Sequence, residues 1–192
     1  LSYADAGFFG PSRGKLNIWC GKEFVARADF LPGRSVTVKM PADFKLWSPE
    51  EPWLYNFSAE FGKDKIDGYF AMRKFSKAKD KDGVLRFFLN NKPYFQKGLL
   101  DQGYWPESQL TPPTDEAMIF DIQKMKDLGF NMLRKHIKEE PLRWYYHCDR
   151  LGMLVWQDMV SGGKALNLFH AGVLPNIHGV LNPIINLTQK DN

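Results

Sequence analysis

Two segments of helical period end in Leu-Gly and pass at once into an apolar run, at Leu128-Gly129 and at Leu151-Gly152. A glycine closes a helix because it takes the left-handed backbone that stops the coil. An apolar run directly behind it reads as a strand. The order strand–helix–strand, met twice, predicts parallel pairing through right-handed crossovers. The first helix has its own start signals. Pro112-Pro113 blocks an earlier start, Thr114 is a capping residue, and Asp115 and Glu116 suit the positive end of the helix dipole. Lys124 and Lys126 suit the negative end, and Met118, Ile122, Met125 and Leu128 keep a spacing of three to four. Pro141 stands at an expected first helical position of the second helix, followed by Leu142, Tyr145, Cys148 and Leu151. The strands expected around these helices are 95–101, 131–136 and 153–156.

The grammar before residue 77 is different. The runs 15–19, 23–30, 35–40, 54–61 and 66–75 are short and rich in aromatic and β-branched residues. Gly14, Gly21, Pro32-Gly33 and Lys63-Asp64 punctuate them. This predicts an antiparallel sandwich over residues 1–76, short of the roughly 100 residues that seven strands take. Residues 77–83 are Lys, Asp, Ala and Gly and read as a linker. Residues 84–192 then form the second unit, opened by a small hairpin over 86–96 with Asn90-Asn91 at its turn.

Composition narrows the functional classes. With 44% hydrophobic and 25% charged residues the chain has globular composition, not that of a disordered tail. The 26 Lys and Arg stand against 22 Asp and Glu, and the longest basic cluster, over 77–81, is interrupted by acid. No nucleic-acid face is expected from so scattered an excess. Cys20 and Cys148 lie far apart and suggest neither a disulfide framework nor a metal site. Residues 1–10 have neither a basic start nor an apolar run, so no signal peptide is expected there. Residues 165–189 carry no Asp, Glu, Lys or Arg, but two prolines and four asparagines argue for a loop or loose tail and against a membrane span.

At this point several segments resemble glycoside hydrolase family 2, the family of β-galactosidases, β-glucuronidases and β-mannosidases. Residues 46–55, Leu-Trp-Ser-Pro-Glu-Glu-Pro-Trp-Leu-Tyr, are similar to its Trp-Ser-Pro-Glu-x-Pro-x-Leu-Tyr segment. Residues 67–74 resemble the last strand of its immunoglobulin-like domain. Asn90-Asn91-Lys92-Pro93 with Lys97-Gly98 resembles the start of its barrel. Residues 121–134 and 148–156 resemble its first two helices and the strands after them. The resemblance implies an incomplete immunoglobulin-like β-sandwich followed by the first three βα units of a (β/α)8 TIM barrel. A whole barrel takes about 250 residues and does not fit in 192.

The implied activity is hydrolysis of β-glycosides with retention, by a carboxylic acid and a nucleophilic carboxylate about 5–5.5 Å apart. The family's acid is a Glu directly after an Asn. No Asn-Glu pair occurs in this sequence, and no Glu follows Glu140. The catalytic pair is therefore expected outside the chain, which would be an internal piece of a hydrolase, inactive by itself. The alternative is a non-catalytic carbohydrate-binding or protein-interaction module.

Barrel sites gather at the C-terminal ends of strands, where four residues are candidates for binding sugar or supporting the nucleophile. Asp101 ends the first strand and can accept sugar hydroxyls, or else cap an Asx turn. Arg134 ends the second; the family's matching Arg holds the nucleophile and lowers its pKa. His136 beside it reads as a loop or core histidine, because the family's His-Tyr-Pro is replaced. Asp158, with Gln157, ends the third strand. Trp156, like Trp105, can stack on a sugar or fill the core. One visible oxygen donor is too few for a metal, so neither metal nor cofactor is expected. His147-Cys148-Asp149 is reactive only on paper, since neighbours on a helix point apart.

Overall fold

A computed structural model describes residues 13–160. Strands β1 (Gly14–Cys20), β2 (Glu23–Phe30), β3 (Tyr55–Phe61) and β4 (Asp64–Phe70) form an antiparallel sheet in the order β2-β1-β3-β4. Both hairpins in it turn over two residues. Gly21 and Gly62 occupy the first turn position with φ of 60° and 61°, which side chains with a Cβ disfavour.

Three expectations for this region need correction. The run 35–40 is not a strand. Pro32 and Pro41 bracket it, both edges of β1 are already taken, and Val36 stays 38% exposed. An apolar pattern without a partner makes no ladder. The run 66–75 is not one strand either: β4 stops at Phe70, and β5 (Phe75–Lys79) begins in another sheet. Residues 77–83 are therefore not a free linker. They complete β5 and turn into β6 (Leu85–Leu89), with the Asp80 carboxylate accepting the N–H of Asp82 and Val84 and pairing with Arg86. Charge and glycine suit a solvent-facing hairpin as well as a linker. After the Asn90-Asn91 turn, where φ is 52° and 64°, β7 (Lys92–Pro93) closes a three-stranded antiparallel sheet β5-β6-β7.

The third sheet is parallel. β8 (Gly98–Asp101), β9 (Met132–Lys135) and β10 (Leu154–Gln157) lie in the order β10-β9-β8. Helix α1 (Asp115–Asp127) joins β8 to β9, and α2 (Leu142–Leu151) joins β9 to β10. Thr114 caps α1 by accepting the Ala117 N–H at 3.1 Å. Pro141 precedes α2 as its N-cap, one residue earlier than expected, and Gly152 ends it at φ 78°. Met118, Ile122, Trp144, Cys148, Leu133 and Met153 form the core between the helices and the sheet. Leu133 is its β9 member, so one face of β9 lies under the helices. Strand side chains alternate, so Lys135 lies on that helix side and Arg134 on the opposite face. The register places Asp101 and Gln157 beside Lys135, and Leu100 and Trp156 beside Arg134.

The Trp-Ser-Pro segment joins the antiparallel and parallel parts. Trp47 is fully buried, and its indole N–H donates to the Asp149 carbonyl at 2.7 Å. The Asp149 carboxylate accepts from Arg73 at 2.7 Å and from the Tyr69 hydroxyl at 3.1 Å. Burial, and then the Asp149 charge, push Tyr69 up to about 12, so it stays a donor. Lys126 Nζ donates to the Pro49 and Gly152 carbonyls at 2.7 and 3.0 Å. A Cβ on Gly152 would collide with the Pro49 carbonyl. Residues 1–12 and 161–192, including the charge-free stretch over 165–189, lie outside the described residues.

Candidate functional site at the ends of the parallel strands

The C-terminal ends of β8, β9 and β10 carry two separate polar systems. On the helix side, Lys135 Nζ lies 2.8 Å from Asp101 Oδ2, 2.9 Å from Glu140 Oε1 and 4.4 Å from the centre of the Trp144 ring. Lys138 Nζ meets the same Glu140 oxygen at 2.8 Å and donates to the Gly103 carbonyl at 2.7 Å. Two cations face two anions, so the cluster is formally neutral. That balance is what allows Lys135 and Glu140 to be buried, since an unpaired interior charge is costly. Gly103 makes the space. Its φ is 63°, and a Cβ there would collide with Glu140 Oε1 and lie 2.7 Å from Lys138 Nζ. Its N–H donates to Asp101 Oδ1 at 2.8 Å. Asp101 is thus held in an Asx turn and an ion pair at once.

On the opposite face, Arg134 grips Asp158 with two parallel hydrogen bonds, Nε to Oδ1 at 3.1 Å and Nη2 to Oδ2 at 3.0 Å. The Arg134 hydrogen bonds, its charge, the charge of His136 and the Ile137 N–H hold the Asp158 carboxyl below the usual carboxylate range. The Asp158 main chain is anchored too, its N–H donating to the Lys135 carbonyl at 3.1 Å. This pair is open to solvent, with half of the Arg134 side chain exposed. Two N–H groups of Arg134 are used; the guanidinium has five.

Of the four candidates, then, Arg134 and Asp158 are together, Asp101 belongs to the buried cluster, and Trp156 to a third place. Trp156 donates its indole N–H to Gln96 Oε1 at 2.5 Å, and its ring meets Phe87 of β6 edge-on at 5.5 Å. A cavity of about 440 Å³ opens there, lined in part by Arg73, Phe75, Phe87, Gln96 and Trp156. Neither Arg134 nor Asp158 reaches it. Trp105 packs against the helix-side core. His136 donates its main-chain N–H to the Asp101 carbonyl at 2.9 Å, and its Nδ1 is 3.4 Å from the Gln102 amide.

His147, Cys148 and Asp149 point apart. His147 accepts from Arg150 at 3.0 Å, Cys148 lies in the core, and Asp149 serves the Trp47 joint. Burial pushes the Cys148 thiol well up, which leaves it protonated and unreactive. Among the described residues no three His, Cys, Asp or Glu are grouped to hold a metal, and no helix is long and apolar enough to cross a membrane.

Sequence reasoning missed Lys135, Lys138, Glu140 and Gly103. A signal existed. Adjacent cations at the end of a strand, as at Arg134 and Lys135, cannot both face water when the strand is covered on one side.

No protein-family model matches the chain. Among curated proteins it is 34% identical over 119 residues to a β-galactosidase of Leuconostoc mesenteroides, covering 60% of this chain and 11% of that protein. It is 32% identical over 163 residues to a β-galactosidase of Oenococcus oeni, covering 77% and 15%. The chain thus spans a small part of the curated relatives it matches, about an eighth of their length. A glycosyl hydrolase family 2 member from Bacteroides cellulosilyticus shares the fold, with a TM-score of 0.62 and 24% identity over 77% of this chain and 21% of that one. The segments that carry the sequence resemblance are the same ones that build the Trp47 joint and the parallel sheet, and with these relatives beside them the chain belongs to glycoside hydrolase family 2.

Proposed function

We propose that the chain is part of a retaining β-glycoside hydrolase acting on a carbohydrate, and that Arg134 and Asp158 are its share of the sugar site. In this reading β1 to β4 belong to an immunoglobulin-like domain, and β8-α1-β9-α2-β10 are the first three strands of a (β/α)8 barrel with the helices between them. The observation that carries it is the Arg134–Asp158 pair. It stands at the C-terminal end of a parallel sheet, on the face away from the helices, where barrel chemistry gathers.

Asp158 uses one edge of the guanidinium, and the N–H groups left over suit a second carboxylate. A nucleophilic Glu placed there would be kept ionised by the positive charge. The acid would protonate the leaving oxygen, and the nucleophile would attack the sugar carbon to give a glycosyl-enzyme that water then hydrolyses. Neither Glu is assigned to this chain, which holds no Asn-Glu pair. Arg134 and Asp158 position; they do not transfer the proton or form the glycosyl bond. Asp101 is tied up by Lys135 and Gly103, and it contributes shape, not a free sugar ligand.

The purified chain is expected to release no 4-nitrophenol from 4-nitrophenyl β-galactoside or β-glucuronide. Turnover that Arg134→Ala abolishes would overturn the placement of the catalytic pair elsewhere. Sequencing the encoding DNA beyond the codon for Asn192 tests the larger reading. Further βα units bearing an Asn-Glu support it, and an in-frame stop codon would favour a non-catalytic module.

A further inference from the structure

Asp158 is the first residue past β10, and its main chain is held at both ends. Its N–H donates to the Lys135 carbonyl of β9 at 3.1 Å, and its own carbonyl accepts from the Gln157 side-chain amide at 2.8 Å. The same Gln157 Nε2 donates to the Lys138 carbonyl at 2.8 Å, so both of its N–H groups are used. Gln157 Oε1 accepts from the Tyr145 hydroxyl at 2.5 Å, and that hydroxyl accepts the Glu140 N–H at 3.2 Å. The ends of this chain fix its direction. The Glu140 N–H can only donate, so Tyr145 passes its own hydrogen on to Oε1; the two carbonyls can only accept, so Nε2 faces them. Burial pushes the Tyr145 hydroxyl up, which keeps that hydrogen in place. The anchors lean on the buried cluster: Glu140 holds the Lys138 ammonium at 2.8 Å, and the Gly103 carbonyl accepts from it at 2.7 Å. Gln157 stands beside Lys135 in the register, while the next residue, Asp158, turns to Arg134 on the other face.

We infer that Gln157 is a positioning residue: its amide, oriented by Tyr145, ties the Asp158 carbonyl to the Lys138 carbonyl and so holds Asp158 where both carboxylate oxygens meet Arg134. The open pair is thereby set in place from the helix side of the sheet. Its use rests on the proposed sugar site; the tie itself is tested without sugar.

The test is NMR on the whole chain, wild type against Gln157→Met, which keeps the length of the side chain and removes its donors without adding charge. Three readouts matter: hydrogen exchange at the Asp158 amide, the Arg134 Nε–H signal, and the carboxyl 13C titration of Asp158. The charged groups that act on Asp158 are Arg134 on β9 and His136 just past it. In Q157M, exchange at the Asp158 amide is expected to quicken by about tenfold or more. The Leu154 amide, held by the Asn131 carbonyl at the start of the same strand, and the Trp156 indole, held by Gln96, should change little. The Arg134 Nε–H is expected to move toward the signal of a free arginine, and the Asp158 midpoint to rise toward the ordinary carboxylate value. Tyr145→Phe keeps the amide and removes only the hydroxyl that orients it. It should give the same selective change at smaller size, and it carries the test if Q157M does not fold. Equal quickening at Leu154 and Asp158 would mean that the amide only braces the strand end, and overturns the inference. An unmoved Asp158 amide and Arg134 signal overturn it too, and leave the proposed sugar site intact. A wild-type Arg134 Nε–H that already matches a free side chain would overturn both.

Discussion

Arg134 and Lys135 are adjacent cations on one short strand, and the two faces of the parallel sheet give them opposite surroundings. Lys135 turns under the helices, where only 1% of its side chain is exposed, against a carboxylate that is equally buried. Arg134 turns the other way, half exposed, against a carboxylate that also meets water. Both are ion pairs at hydrogen-bond distance. Their energetic meaning differs because of what each side chain loses on leaving water. The buried cluster has already lost its hydration, so its partners are obligatory. The open pair keeps much of its hydration, so its partners are replaceable. The lesson is that two adjacent charges at the end of a strand encode two jobs, and the pleat sorts them.

Removing one partner on the buried face is the strongest way to break this comparison. Glu140→Ala leaves Lys135 with Asp101 as its one carboxylate and Lys138 with the Gly103 carbonyl alone, and a broken buried pair costs about 3–5 kcal/mol. Against a typical domain stability of roughly 5–15 kcal/mol, that should collapse the cooperative urea transition or shift its midpoint far down. Replacing charge by apolar volume, with Lys135→Met and Glu140→Leu together, should recover most of the loss. An E140A midpoint equal to wild type would mean that the cluster is wetter than its geometry implies.

Gly103→Ala comes next. The substitution puts a Cβ where the Glu140 oxygen lies and forces a side chain into φ 63°. The backbone term alone is roughly 1–3 kcal/mol. A crystal structure or urea titration of the variant would show whether the cluster opens to accept it. Thr114→Ala is smaller, about 1 kcal/mol, because one N-cap hydrogen bond at the edge of α1 is lost. It calibrates the helix layer. If Gly103→Ala costs less than the cap, the close fit under the helices is not what holds the strand ends.

The elements that the sequence made legible are those with local signals. Thr114, the acid pair after it and Gly129 bracket α1 because capping is decided within one turn. The two Leu-Gly stops marked the helix ends, and parallel pairing followed from the strand–helix–strand order. What stayed hidden depends on partners far along the chain. Residues 35–40 have strand composition but pair with no strand, and residues 77–83 have linker composition, yet 77–79 pair with 85–87. The site was half legible for the same reason. Position at a strand end singled out Asp101, Arg134 and Asp158 equally. Only the pleat separates them: Asp101 meets Lys135 and the Gly103 N–H on the helix side, and Arg134 pairs with Asp158 on the other face. Trp156 was legible as a large aromatic at a strand end, but its direction is set by Phe87 and Gln96, sixty or more residues upstream.

The smallest effect belongs to the open face, and its sign is fixed by pH. Arg134 holds the Asp158 carboxyl below its ordinary value in the folded chain. The unfolded chain therefore takes up the proton first as pH falls. The contribution of the pair is fully present above the unfolded carboxylate value of 3.8 and is lost as pH drops through the lower, folded one. Because both side chains meet solvent, Arg134→Ala should lower the melting temperature at pH 7 by less than Thr114→Ala does. Molar salt should erase most of the difference, since screening acts within a few ångströms at that strength. Below the folded Asp158 midpoint, wild type and Arg134→Ala should converge. Glu140→Ala should remain separated from both, because its loss is one of burial and not of an open charge pair. An Arg134→Ala penalty as large as that of Glu140→Ala, or one indifferent to salt, would mean that the face away from the helices is covered in solution, and the contrast between the two faces would fall.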